Sequence, residues 1–116
     1  PEDEEQKRLT FAQAATGSSG IETLLSLSLE LYHNGSVKLE TIIQALTSNP
    51  AKILKINKGN LTIGNDADFC IVDINKPWIV KKEELISKSK NTSIENKKLQ
   101  GKVTNTFVKG VELFKL

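Results

Sequence analysis

The chain has 116 residues, 38% apolar and 26% charged, which is the range of a soluble globular protein of single-domain length. Sixteen Lys and Arg against 14 Asp and Glu leave a net charge of +2. No basic stripe would neutralise a phosphate backbone, so no nucleic-acid partner is expected. A single Cys excludes an internal disulfide framework, and a single His excludes a multi-histidine metal site built from this chain. No apolar run nears the ~20 residues that span a bilayer, so the expected setting is the cytoplasm, away from membranes.

Pro1 to Arg8 (PEDEEQKR) is polar throughout and reads as a solvated segment. Its acids Glu2, Asp3, Glu4 and Glu5 lack the Asp-x-Asp-x-Asp-Gly spacing of a calcium loop. Leu9 to Gly20 is a small-residue loop, either a plain connector or backbone placed close to something else. Ser19 and Glu22 have the Ser-x-x-Glu spacing of a capping box, and Ile21, Leu24, Leu25, Leu29 and Tyr32 share one helical face. Together they predict a helix from Ile21 to His33, ended by Asn34-Gly35; Leu27 and Leu31 widen its apolar face, so it must be covered on more than one side. A second helix is predicted from Val37 to Thr47, on Leu39, Ile42, Ile43 and Leu46. Asn49-Pro50, as cap and first helical residue, would then open a short third helix carrying Ile53, Leu54 and Ile56.

The pattern changes after Lys58-Gly59. Leu61 and Ile63 alternate with polar residues, Gly64-Asn65-Asp66 marks a turn, and Ala67 to Ile74 is apolar on both faces, as an interior strand would be. Asn75-Lys76-Pro77 is expected to break that strand before Trp78-Ile79-Val80 resumes it. Lys81 to Lys88 suits a helical turn and Ser89 to Lys98 a polar loop. Lys102 to Val108 and Val111 to Phe114 form a hairpin about Lys109-Gly110. The second half is therefore expected to hold about five short strands, too few to close their own edges. Helices followed by strands suggest two packing units, each built to pack on something outside this chain.

Few side chains suggest chemistry. His33, alone at a helix end, reads as structural; Cys70, inside Phe69-Cys70-Ile71-Val72, reads as a small buried hydrophobe. The lysines from Lys81 to Lys98 are interrupted by Glu83, Glu84 and Glu95 with no interleaved aromatics, unlike a single-strand nucleic-acid platform. Gly17-Ser18-Ser19-Gly20 lacks the Lys-Ser/Thr of a phosphate cradle. Thr16 and Gly17, just ahead of a helix, present backbone N–H groups suited to a small anion such as a carboxylate.

Lys7 to Leu29 (KRLTFAQAATGSSGIETLLSLSL), with its Gly-x-x-Gly-Ile-Glu-Thr core, resembles the segment after the last barrel strand of bacterial dihydroorotases, members of the amidohydrolase superfamily. Thr47 to Ala51 (TSNPA) and Gly59 to Asp68 (GNLTIGNDAD) resemble patterns shared with hydantoinases and allantoinases. Ser87 to Thr92 (SKSKNT) resembles dihydroorotases again. The resemblance implies an α/β fold: the C-terminal part of a TIM-like (β/α)8 barrel, residues 1–56 giving its last loop and terminal helices, and residues 57–116 giving strands of a small β-sandwich. A barrel takes ~250 residues, so this chain holds only part of one.

The resemblance further implies reversible hydrolysis of dihydroorotate to N-carbamoyl-L-aspartate in pyrimidine synthesis. Zinc would polarise the amide carbonyl and activate water, and an aspartate would move the proton. The metal ligands and catalytic residues would all lie upstream, leaving this chain none of either. The substrate-binding positions that carry over are Thr16 and Gly17, acting through their backbone. Thr16 stands where an aromatic or small residue is often found, and Ser93 replaces the usual Pro after Lys-Asn-Thr. The implied partners are the N-terminal portion of the same enzyme, its substrate, and a second copy or aspartate carbamoyltransferase. Alternatives are a hydantoin or allantoin hydrolase, and a non-catalytic subunit scaffolding aspartate carbamoyltransferase. The exposed acidic start at Pro1 is expected to mark a nicked or divided enzyme.

Overall fold

The computed structural model describes residues 4–116. The expectations resting on Pro1, Glu2 and Asp3, including the cut before Pro1, lie outside the described residues. Four short helices come first: α1 (Glu4–Lys7), α2 (Leu24–His33), α3 (Leu39–Leu46) and α4 (Ser48–Leu54). The strands β1 (Phe69–Ile79), β2 (Lys98–Val108) and β3 (Val111–Lys115) follow, with a 3-10 turn at Lys82–Glu84 between β1 and β2. They form one antiparallel sheet in the order β1-β2-β3.

α2 ends where Asn34-Gly35 predicts. The Asn34 and Gly35 N–H groups return to Glu30 and Tyr32 carbonyls, and Gly35 takes φ 77°, a turn glycine accommodates without strain. Its start departs from the capping-box expectation. Thr23 is the N-cap without a side-chain capping bond, while Ser19 and Glu22 are used elsewhere. α4 also starts differently: Thr47 is its N-cap, which places Asn49 and Pro50 inside the first turn. Pro is tolerated there because the first-turn N–H groups have no intrahelical partner.

The sheet has three strands, not about five. Leu61 and Ile63 lie in a loop rather than a strand. Within that loop the Asn60 side chain accepts from the Thr62 N–H and the Asn65 amide, an asparagine-based turn that competes with extended pairing. β1 runs through Asn75-Lys76-Pro77 instead of breaking. Its register slips between Asp73↔Lys102 and Pro77↔Gln100, so Ile74, Asn75 and Lys76 bulge out opposite Gly101, and pairing resumes at Pro77 on an edge strand, where a missing N–H is tolerated. β1 is also an edge strand rather than an interior one, and Cys70 on it is exposed, not buried. The hairpin is as expected: Val108 pairs with Val111 across Lys109 (φ 50°) and Gly110 (φ 77°), the two positive φ angles of a tight two-residue turn.

The core is small: Leu29, Ile42, Ala51, Val80, Leu85 and Leu99. α2 lies on β2 so closely that Gly101 (φ 98°) faces the Leu29 side chain, and a Cβ there would collide with it. The contact is fastened by polar groups. The buried Ser26 hydroxyl donates to the Gly101 carbonyl at 2.5 Å and accepts from the Trp78 indole N–H at 3.1 Å. Many large apolar residues stay outside this core. Phe11 and Ile63 are fully exposed, and Ile21, Ile53, Leu61 and Ile86 nearly so.

Candidate functional site

Thr16 and Gly17 sit on the exposed loop that enters α2, with Gly17 at φ 95°. Two sets of contacts hold this loop. From the N-terminal side, the Lys7 ammonium donates to the Ala15 carbonyl at 2.8 Å and also to the Gly17 carbonyl. From the other side comes the segment 85–93. The Ser19 N–H donates to the Asn91 carbonyl (2.6 Å) and the Ser19 hydroxyl to the Ser89 carbonyl (2.7 Å). The Ser93 N–H donates to Ser18 Oγ at 3.0 Å, a bond that a proline at this position could not make. The Glu22 carboxylate accepts two backbone N–H groups at once, from Ile86 (3.0 Å) and Ser87 (2.9 Å). Such charge-assisted pairs are stronger and more directional than neutral hydrogen bonds.

Both residues are exposed, Thr16 and Gly17 alike. Gly17 and Ser18 line an open recess of about 610 Å³ together with Lys7, Lys88 and Lys90 and the carboxylates Glu83 and Glu95. Thr16 is beside the recess and not part of its lining. The structure thus brings Gly17 together with residues some 70 positions away in sequence. Glu22, Ser18 and Ser19 join this loop to the segment 85–93, a connection that local pattern reading does not reveal. The Gly-x-x-Gly-Ile-Glu-Thr motif was their only signal, and its spacing fits a capping box equally well.

The other singled-out residues lie elsewhere. His33 is exposed at the end of α2, with Nε2 3.0 Å from the Ile74 carbonyl in the β1 bulge. It borders an open groove of about 830 Å³ with Trp78, Pro77 and Gln100, on another part of the surface from Gly17. The loop from Gly59 to Asp68 closes on a charged pin. Lys58 Nζ lies 2.9 Å from Asp66 and 2.5 Å from Asp68, and Asp68 Oδ1 accepts the Lys109 N–H at 2.7 Å. The hydrogen bond to Asp68, then that to Asp66, raises the Lys58 pKa above its ordinary value. The hydrogen bonds from Lys58 and then from Lys109 lower that of Asp68. This pin joins the linker to the β2–β3 turn and is structural.

The sequence profile of the amidohydrolase family matches residues 8–113. This chain belongs to that family. Among its relatives, the dihydroorotase of Ehrlichia canis (strain Jake) is 42% identical over 110 residues, covering 95% of this chain and 25% of the relative. That of Wolbachia sp. subsp. Drosophila simulans (strain wRi) is 40% identical over 114 residues, covering 98% of this chain and 26% of the relative. The chain therefore spans about a quarter of the length of the curated relatives it matches. The dihydropyrimidinase of Brevibacillus agri NCHU1002 shares the fold with a TM-score of 0.91 at 20% identity, over 99% of this chain and 26% of that one. The L-hydantoinase of Arthrobacter aurescens has a TM-score of 0.84 at 28% identity, over 90% and 24%. An amidohydrolase implies a metal. Among the described residues, no three His, Cys, Asp or Glu side chains come together to hold an ion.

Proposed function

We propose that this chain is the C-terminal portion of a dihydroorotase, active in reversible hydrolysis of dihydroorotate to N-carbamoyl-L-aspartate when joined to the rest of the protein. The observation that carries this is its identity of about 40% to dihydroorotases along nearly its whole length, well above its likeness to the hydantoin-acting structures. Residues 1–56 would complete the barrel with its last loop and terminal helices, and residues 57–116 would add strands to the β-sandwich. Zinc, its ligands and the proton-moving aspartate are assigned to the remainder of the protein. The role left to this chain is to offer substrate the backbone of Thr16 and Gly17, held in place by Lys7 and by the segment 85–93. A cytoplasmic setting suits this role, and among the described residues no helix is long and apolar enough to cross a membrane.

A hydantoin-acting enzyme is the second reading, favoured by the fold match to the Arthrobacter L-hydantoinase. Purified full-length protein carrying this segment, assayed on dihydroorotate, hydantoin and allantoin, separates the two. We expect dihydroorotate to be turned over at least about a hundredfold more efficiently, a discrimination within reach of a site that hydrogen-bonds the substrate's polar groups. Preference for hydantoin or allantoin overturns the proposal. Absence of turnover on all three points instead to a scaffolding subunit.

A further inference from the structure

We propose that Glu22 is a positioning residue for substrate binding, acting through the segment 85–93 on the backbone of Gly17; this rests on the dihydroorotase reading above. Glu22 lies on the turn into α2, five residues after Gly17, and its carboxylate takes the N–H groups of Ile86 and Ser87 together. A few residues further along, the same segment returns to the loop. Its Ser89 and Asn91 carbonyls accept the hydroxyl and N–H of Ser19, and its Ser93 N–H donates to Ser18. Glu22 and Ser18-Ser19 are thus two ends of one brace, with Gly17 immediately beyond it. Lys7 grips the Gly17 carbonyl from the opposite side. A residue at positive φ, with no helix or strand around it, owes its orientation to these outside contacts.

The charge matters to the geometry. A carboxylate offers two acceptor oxygens to two converging donors. Glutamine at this position keeps the size but turns one acceptor into an N–H2 facing an N–H. The brace then opens at one end and the Gly17 N–H loses its fixed direction.

The test uses full-length protein carrying Glu22→Gln or Ser18→Ala. Loosening a binding group that does not react weakens substrate and transition state alike. KM for dihydroorotate should therefore rise about tenfold in Glu22→Gln and about threefold in Ser18→Ala, with kcat within about twofold of the parent. Ser18 is exposed, so the second variant keeps the test open should Glu22→Gln fail to fold. KM unchanged in the folded variants overturns the proposal. A fall in kcat at constant KM also overturns it, because that pattern reports only a smaller folded fraction. If the parent hydrolyses hydantoin and not dihydroorotate, the dihydroorotase reading fails, and the same KM comparison on hydantoin still decides the brace.

Discussion

Gly101 concentrates the packing of this chain at one position. It combines a positive φ, which costs a residue with a side chain about 1–2 kcal/mol, with contact against the fully buried Leu29. Gly101→Ala adds overpacking to that strain, typically about 1–3 kcal/mol, so we expect it to destabilise full-length protein by about 2–5 kcal/mol in urea unfolding. A loss below about 1 kcal/mol would mean that α2 can lift from β2 without cost. The sequence shows a glycine here but not its reason, because the collision is with a residue 72 positions earlier. The exposure of Cys70 has a related cause. A strand apolar on both faces argues for burial, but this chain supplies cover for little of the sheet.

At the scale of elements, local signals identified what local forces decide. The apolar spacing placed the body of α2 and of α3, Asn34-Gly35 placed the end of α2, and Lys109-Gly110 placed the hairpin. What they could not place was set by distant partners. Ser19 and Glu22 have capping-box spacing, yet they bond to a segment more than 60 residues away. β1 continues through Pro77 because pairing resumes there, opposite Gln100, on an edge strand that tolerates a missing N–H.

The Lys58–Asp66–Asp68 pin has a defined pH window. The Asp68 pKa is lowered on folding from its ordinary 3.8, so its contribution is present above 3.8 and fades as pH falls through the lower folded value. The Lys58 pKa is raised from 10.5, so its contribution is present below 10.5 and fades as pH rises through the higher folded value. Since the Lys109 N–H donates to Asp68, its amide chemical shift should report the acid limb, with a midpoint below 3.8 that disappears in Asp68→Asn. A midpoint at or above 3.8 would show that the pin is open in solution.

The whole molecule is extended. Its radius of gyration is 16.5 Å, with principal extents of 53 × 30 × 28 Å, where a compact domain of this length has about 13 Å. Its accessible surface is 8639 Å², more than a third above the roughly 6,300 Å² of a folded monomer of 12.8 kDa. Both departures go together with apolar residues left uncovered on the loops, on α4 and on the sheet. The widened face of the first long helix and the short supply of strands make this need legible in sequence. What surface would cover them is not, because hydrophobic burial is non-directional and does not specify its partner.

The most direct measurement is thermal unfolding of the isolated 116-residue chain, followed by circular dichroism and sedimentation, with and without the remainder of the protein. We expect no cooperative transition and self-association for the chain alone, and a cooperative transition once the remainder is present. A monodisperse, compact monomer that melts cooperatively by itself would contradict it.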